Sequence, residues 1–293
     1  MLRGNLKRFS SVRVSLLCEN TAGVRGAIGE HGLSWWVEAG DKRVLFDLGQ
    51  GVGLLNNANL LGVDLDTVDA IAISHGHYDH VGGWDQLSPR VKGAPLFVHP
   101  DALFPKYQCQ KSGSVVLASN EQFPSLISKE EIDIRQVRVP TEVVEGVWIS
   151  GEVPRITDYE NTGGSFFCDA QAEEKDLLLD DQSLFFDTDL GLVVILGCSH
   201  AGVINILRYL MKLSGRRIHA VMGGMHLLHA SSDRLRRTFE DLSVIDPDWI
   251  GANHCTGSIA QGALIETFGK RYLVCNAGNS IHLPKSIVTN KGE

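Results

Sequence analysis

Short apolar runs divided by turn-forming residues fill the first hundred positions. Val12 to Leu17, Ser34 to Glu38 and Arg43 to Phe46 read as strands, separated by glycines and charges that favour turns. Gly51 to Leu61 reads as a helix, because Leu54, Leu55 and Ala58 fall on one face at helical spacing. Val68 to Ser74 reads as a buried strand that runs into a histidine cluster, and Leu96 to His99 as a short strand closed by Pro100. From Pro105 to Glu145 polar runs mix with short apolar pieces, a pattern suited to substrate-facing loops. Phe185-Phe186, Asp187-Thr188-Asp189 and Leu190 to Leu196 follow the pattern of a hairpin. Beyond it strand, histidine-bearing loop and helix alternate through Ala201–Leu213, Ile218–Met222, Ser232–Leu242, Trp249–Ala252 and Ser258–Phe268. No repeat, low-complexity tract or Pro/Gly linker divides the chain, so residues 1–11 read as an extension and 12–293 as one domain. Early hairpins followed by β–α units predict an α/β sandwich with helices outside two sheets.

Composition narrows the function. A formal net charge of −8 argues against nucleic-acid binding, which needs clustered Lys and Arg on phosphates. The small basic groups, Arg216-Arg217 and Arg234, Arg236 and Arg237, read as solvated helix ends. No apolar run approaches a membrane span; the best, Leu190 to Leu196, suits one buried strand. The six cysteines are scattered without a CxxC pair and read as reduced core or site residues. Together with a start, MLRGNLKRFSS, that lacks an apolar leader core, they fit a cytoplasmic protein.

Candidate chemistry concentrates at Ile73-Ser74-His75-Gly76-His77-Tyr78-Asp79-His80. In an extended stretch alternate side chains share a face, so His75, His77 and Asp79 are expected to point one way. His80 breaks the alternation, so the loop must turn, and a turning loop with four donors can serve two centres. Imidazole and carboxylate suit zinc and related divalent ions. Later histidines follow predicted strands: His200 in Gly197-Cys198-Ser199-His200, His226 in Gly223-Gly224-Met225-His226, and His254 in Asn253-His254-Cys255-Thr256-Gly257. His226 is read either as a substrate contact or as a side chain satisfying buried backbone. Cys198 and Cys255 read as small buried residues, and Asp180 and Asp181 as turn-shaping ones. His31, His219, His229 and His282 read as surface or core histidines.

His75-x-His77-x-Asp79-His80 after an apolar strand resembles the signature of the metallo-β-lactamase superfamily. Phe46-Asp47-Leu48-Gly49 resembles that superfamily's first motif, whose aspartate supports the metal loop from outside the ligand shell. The GCSH, GGMH and HCTG segments resemble one branch, the metal-dependent hydrolases often called dihydropterin–ribofuranosyl-aminobenzene-phosphate synthases. The resemblance runs from about Val12 to the C-terminus. It implies a four-layer αββα sandwich holding two divalent ions, zinc first and manganese or iron as alternatives. His75, His77 and one later histidine would hold the first ion; Asp79, His80 and His254 would hold the second. The chain departs from the common pattern at two places. Val147 to Arg155, where a third histidine motif is expected, has none, and Cys198 and His200 stand near the usual bridging aspartate. His200 is the expected replacement ligand, with Cys198 or Glu152 as other candidates.

The expected activity is attack of a metal-activated water on an ester, phosphoester or related bond of a small, anionic substrate. Asp79 would orient the water and take its proton; His226 would stabilise substrate or leaving group. Three other readings compete. A synthase-type transfer would release pyrophosphate from a pterin pyrophosphate. An iron-dependent oxidoreductase would hold iron, although diiron members carry Glu where His77 stands. A binding module would retain ligand without turnover.

Overall fold

The computed structural model describes residues 2, 6–91, 93–120, 122–129 and 132–285 of the 293-residue chain. Two seven-stranded sheets stack face to face. The first runs, in spatial order, Ser280–Leu283, Val12–Cys18, Ser34–Ala39, Lys42–Phe46, Ala70–Ala72, Leu96–Val98 and Ile134–Gln136. The second runs Thr141–Val144, Val147–Ile149, Ser183–Thr188, Gly191–Leu196, Ile218–Gly224 and Trp249–Asn253, with Arg8–Phe9 added in parallel to Ser183–Thr188.

Strand alternation builds three apolar layers from these two sheets. Trp35, Val37, Val44 and Phe46 face the core between the sheets, where they meet Leu184, Phe186, Val193 and Ile195. Their neighbours Trp36 and Leu45 face outward and are covered by Leu54, Ala58, Trp84 and Phe123 of the helices Leu54–Leu60, Trp84–Leu87 and Gln122–Lys129. Phe185, Val194 and Leu196 are likewise covered by the helices Val203–Ser214, Ser232–Ile245 and Ser258–Phe268. The result is the expected αββα sandwich. No helix among the described residues is long and apolar enough to cross a membrane.

Three local expectations need correction. Arg8–Phe9, within the segment read as an extension, pairs with Asp187–Thr188, and buried Phe9 packs edge-on against Phe186 at 6.2 Å. The hairpin turns at Asp189-Leu190 and not over Asp187–Asp189: Thr188 pairs directly with Gly191, whose φ of +135° lets the chain reverse in two residues. The stretch read as loops between Pro105 and Glu145 contains strands Tyr107–Cys109, Val115–Leu117, Ile134–Gln136 and Thr141–Val144 and the helix Gln122–Lys129. The first two, with Phe166–Phe167, form a small three-stranded sheet. Strands of three residues carry too few positions for alternation to be read from sequence.

What places the site is the parallel part of each sheet. Lys42–Phe46 runs parallel to Ala70–Ala72, and Gly191–Leu196, Ile218–Gly224 and Trp249–Asn253 run parallel to one another. Open α/β sheets gather ligands outside the carboxyl ends of such strands. The segments carrying Asp47, His75, Cys198, His226 and His254 all begin there.

Candidate metal centre

The backbone at these strand ends is strained. Asp47, Ser199, His226 and His254 have φ of +61°, +60°, +48° and +50°. A non-glycine residue held there costs about 1–3 kcal/mol, a cost that persists where surrounding structure enforces it. Three of them are fixed by buried partners. Asp47, fully buried, accepts the Ser74 backbone N–H at 2.7 Å and the Ser74 hydroxyl at 2.7 Å, and lies 2.7 Å from His80 Nδ1. Ser199 Oγ donates to the Gly224 carbonyl, and Glu19 accepts the His254 backbone N–H at 2.9 Å.

Two donor triads result. His75, His77 and His200 bring ligand atoms within 4.8 Å of one another, and so do Asp79, His80 and His254. The expected alternation holds only as far as His77, which is extended (φ −74°, ψ 147°). The short helix Tyr78–Val81 then swings Asp79 and His80 away from the face of His75 and His77 toward the other triad. One loop thus divides its four donors between two positions. Cys198 lies between them, its Sγ 3.2 Å from His80 Nε2 and grouped with His75 and His80.

The outer nitrogens of three rings are engaged, so their inner nitrogens are aimed. His80 Nδ1 meets Asp47, His200 Nδ1 donates to the Thr162 carbonyl at 2.7 Å, and His254 Nδ1 lies 2.9 Å from Asn20 Oδ1. Such partners set which nitrogen keeps its lone pair. Nε2 of His200 and of His254 is buried with no hydrogen-bond partner, as are His77 Nε2 and His226 Nδ1. His75 Nε2 and His77 Nδ1 face each other at 2.9 Å. Buried nitrogens left unpaired are costly unless something else satisfies them, and a cation accepting lone pairs does so. The donor groups therefore fit divalent metal.

Electrostatics agrees with that fit. Burial, reinforced by neighbouring imidazoles, holds His75 and His200 well below the usual histidine range and pushes His77 down to about 3. Burial alone would raise the Asp79 carboxyl, but the nearby His80, His254 and His31 rings outweigh it and keep Asp79 well below its ordinary value. Burial would likewise lower His80, yet the carboxylates of Asp47 and Asp79 outweigh it and raise that ring. Neutral imidazoles and an ionised carboxylate are the forms that bind metal, so His75, His77, His200 and Asp79 are in the binding form, whereas His80 would give up its proton to a bound ion.

The triads open on a cleft of about 210 Å³. Its wall includes His226, whose ring centroid lies 4.3 Å from that of His200, together with Phe166, Tyr78 and Leu228. Phe166, on the small sheet, lies over His77 at 4.9 Å, and the Ala118 carbonyl accepts the Tyr78 N–H, tying that sheet to the metal loop. Glu152 is not at the centre: it pairs with Arg138 at 2.7 Å and with His99 at 3.1 Å. His99, otherwise bonded to the Asp101 N–H, stays with that group. Buried His219 pairs with Asp248.

Several site residues escaped the sequence reading. His31 and His229 line the cleft, and His31 Nε2 lies 3.3 Å from Asp79 Oδ2. Asn20 touches both His31 and His254. Asp180 and Asp181 do more than shape a turn. Asp180 accepts the Gly76 N–H at 2.8 Å and pairs with buried Lys106, while Asp181 accepts the Ala201 N–H at 2.9 Å. The only available sign was two adjacent carboxylates directly before an apolar strand. Gly76, between the first two histidines, has no room for a side chain: a Cβ would sit 2.4 Å from the Ala102 carbonyl oxygen. Gly76→Ala is expected to destabilise by about 1–3 kcal/mol through overpacking and to lower metal content. Chemical denaturation and elemental analysis check both; unchanged values would remove the tight-backbone account of this glycine.

Comparison with known proteins follows the same line. The sequence model of the metallo-beta-lactamase superfamily matches residues 27–218, more than half of the chain. A 7,8-dihydropterin-6-methyl-4-(beta-D-ribofuranosyl)-aminobenzene-5'-phosphate synthase of Methanocaldococcus jannaschii is 28% identical over 291 residues, covering 94% of this chain and 98% of that protein. The uncharacterized protein MJ0448 of the same organism is 32% identical over 247 residues, covering 83% and 90%. Among solved structures, Tm1679, a metal-dependent hydrolase of the beta-lactamase superfamily, superimposes with a TM-score of 0.79 at 31% identity, covering 92% of this chain and 98% of that one. Sequence, layered fold and strand-end histidines converge: the chain belongs to the metallo-beta-lactamase superfamily.

Proposed function

We propose that this chain is a metal-dependent hydrolase acting on an ester, phosphoester or related bond of a small, anion-bearing molecule. One observation carries the reading: two donor triads with buried, unpartnered imidazole nitrogens open side by side on one cleft. His75, His77 and His200 would hold one ion, and Asp79, His80 and His254 the other. Two divalent ions bound there would supply positive charge that polarises a substrate oxygen and acidifies water. The imidazole-rich set, with the Cys198 thiol between the triads, favours zinc over manganese.

The chain's own residues divide the remaining work. Asp79, held ionised, orients the attacking water and accepts its proton. His226, with buried Nδ1 unpartnered beside His200, meets the substrate or the leaving group. Phe166 and Leu228 keep bulk water from the reacting bond. Asp47 holds the His80 ring in place through its 2.7 Å contact with Nδ1.

Elemental analysis of purified protein, followed by a screen of phosphodiesters, lactones and thioesters, tests the proposal. In His77→Ala the metal equivalent held by the first triad and turnover are expected to disappear together. Turnover that persists after metal is stripped would overturn it. The similarity to the archaeal synthase along almost its whole length favours a second reading, transfer with pyrophosphate as leaving group. Pyrophosphate release from a pterin pyrophosphate, dependent on an aminobenzene acceptor, would select that reading over hydrolysis.

A further inference from the structure

Asn20 stands two residues beyond the strand Val12–Cys18 and places its side-chain amide between two imidazoles. Its Oδ1 lies 2.9 Å from His254 Nδ1, and its Nδ2 lies 3.4 Å from His31 Nδ1. The far nitrogens of both rings converge on one carboxylate oxygen: His254 Nε2 is 3.4 Å and His31 Nε2 3.3 Å from Asp79 Oδ2. His254 and Asp79 are buried, whereas the His31 side chain is 55% exposed and reaches solvent. The backbone of His254 is fixed separately, through Glu19.

A carboxamide has one accepting end and one donating end. Two neutral imidazoles that touch its opposite ends through the same ring atom must therefore hold their protons on different atoms. With Oδ1 toward His254, that ring carries its proton on Nδ1 and turns the Nε2 lone pair inward. The amide NH₂ then donates to His31 Nδ1, so His31 carries its proton on Nε2 and donates it to Asp79. Turning the amide over reverses both rings. His254 would then present N–H instead of a lone pair, and His31 would set a lone pair against the Asp79 carboxylate. Only the first arrangement leaves His254 able to bind a cation and Asp79 hydrogen-bonded from the solvent side.

The geometry points to Asn20 as a positioning residue that locks His254 and His31 in opposite tautomers. One amide thereby orients a donor of the second triad and makes His31 the outer hydrogen-bond donor on Asp79. That the two rings are opposite requires no ion; which of them carries its proton on Nδ1 rests on the proposed metal centre, because either arrangement leaves one lone pair facing Asp79.

Imidazole ¹⁵N spectra of the full chain, zinc-loaded and metal-free, test it. In the zinc-loaded form His254 is expected to be protonated at Nδ1, and His31 at Nε2 with a bare Nδ1; in the metal-free form the two rings are expected to carry their protons on different atoms. Asn20→Asp offers two accepting oxygens, so His31 Nδ1 should gain a proton while His254 keeps its own. Asn20→Ala should weaken binding of one zinc equivalent by about 10- to 100-fold, the usual effect of losing a partner that orients a ligand, and leave the other equivalent unchanged. Protons on the same ring atom in both histidines of the wild-type chain would overturn the proposal. So would an Asn20→Asp spectrum in which His31 is unaltered, or unchanged zinc affinity in Asn20→Ala. Opposite tautomers in a chain that binds no zinc would sink the metal reading and leave the tautomer lock standing.

Discussion

His200→Ala is expected to lose one of two bound metal equivalents and, with it, turnover. His200 supplies the third nitrogen of a triad whose other members come from a single loop. Its Nε2 is buried without a partner, and its Nδ1 is held by the Thr162 carbonyl. The ring lies 4.8 Å from that of His75 and 4.9 Å from that of His77. Alanine removes the donor itself, so the loss of affinity should exceed the roughly 10- to 100-fold that follows from removing a supporting partner. Chelator titration and elemental analysis measure it. Glu152→Ala is the control, because Glu152 is held by Arg138 and His99 outside the centre and should retain both equivalents. Full metal content in His200→Ala would show that the first triad is completed by another residue.

Lys106→Met should be among the most destabilising single substitutions outside the triads. Lys106 is 2% exposed and its Nζ lies 2.8 Å from Asp176 and 3.0 Å from Asp180, which is fully buried. These carboxylates outweigh the effect of burial and raise the lysine further above its usual range, so it is charged. Removing one member of a buried pair leaves the other uncompensated and costs about 3–5 kcal/mol. Asp180 also accepts the Gly76 N–H between His75 and His77, so the damage should reach metal binding. Removing the lysine together with its fully buried partner leaves only the partly exposed Asp176 unpaired: Lys106→Met with Asp180→Asn is expected to recover most of the loss, since the asparagine oxygen still accepts from Gly76. Urea denaturation decides the matter. A double variant no more stable than the single one would show that shape, and not charge, is what Lys106 contributes.

Much of the fold is legible from local pattern. Short apolar runs bounded by glycines and charges at Ser34–Ala39 and Lys42–Phe46, unbroken apolar residues in Gly191–Leu196, and helical spacing over Val203–Ser214 follow from which faces must be buried. The metal loop is legible for a related reason, since four donors in six residues leave few other uses. What alternation could not show is the helical turn at Tyr78–Val81 that splits those donors between two triads. That turn depends on contacts from elsewhere: Asp47 on His80, and the Leu33 N–H on the Asp79 carbonyl.

The partners of the site show the limit most clearly. Asn20 and His254 are 234 residues apart, and Gly76 and Asp180 are 104 apart. A lone asparagine after a strand, or two aspartates before one, carry no periodic signal, because each needs only one well-placed atom. Sequence by itself determined the layers and the strand-end placement of the histidines and singled out the candidate donors, since burial and ligand chemistry act through residue type and spacing. Tertiary structure alone decided which candidate donors share a position, that Glu152 stands apart, that His31 and Asn20 touch the second triad, and that Lys106 reaches the loop through Asp180. Those outcomes depend on distances between strand ends brought together by the packing of two sheets.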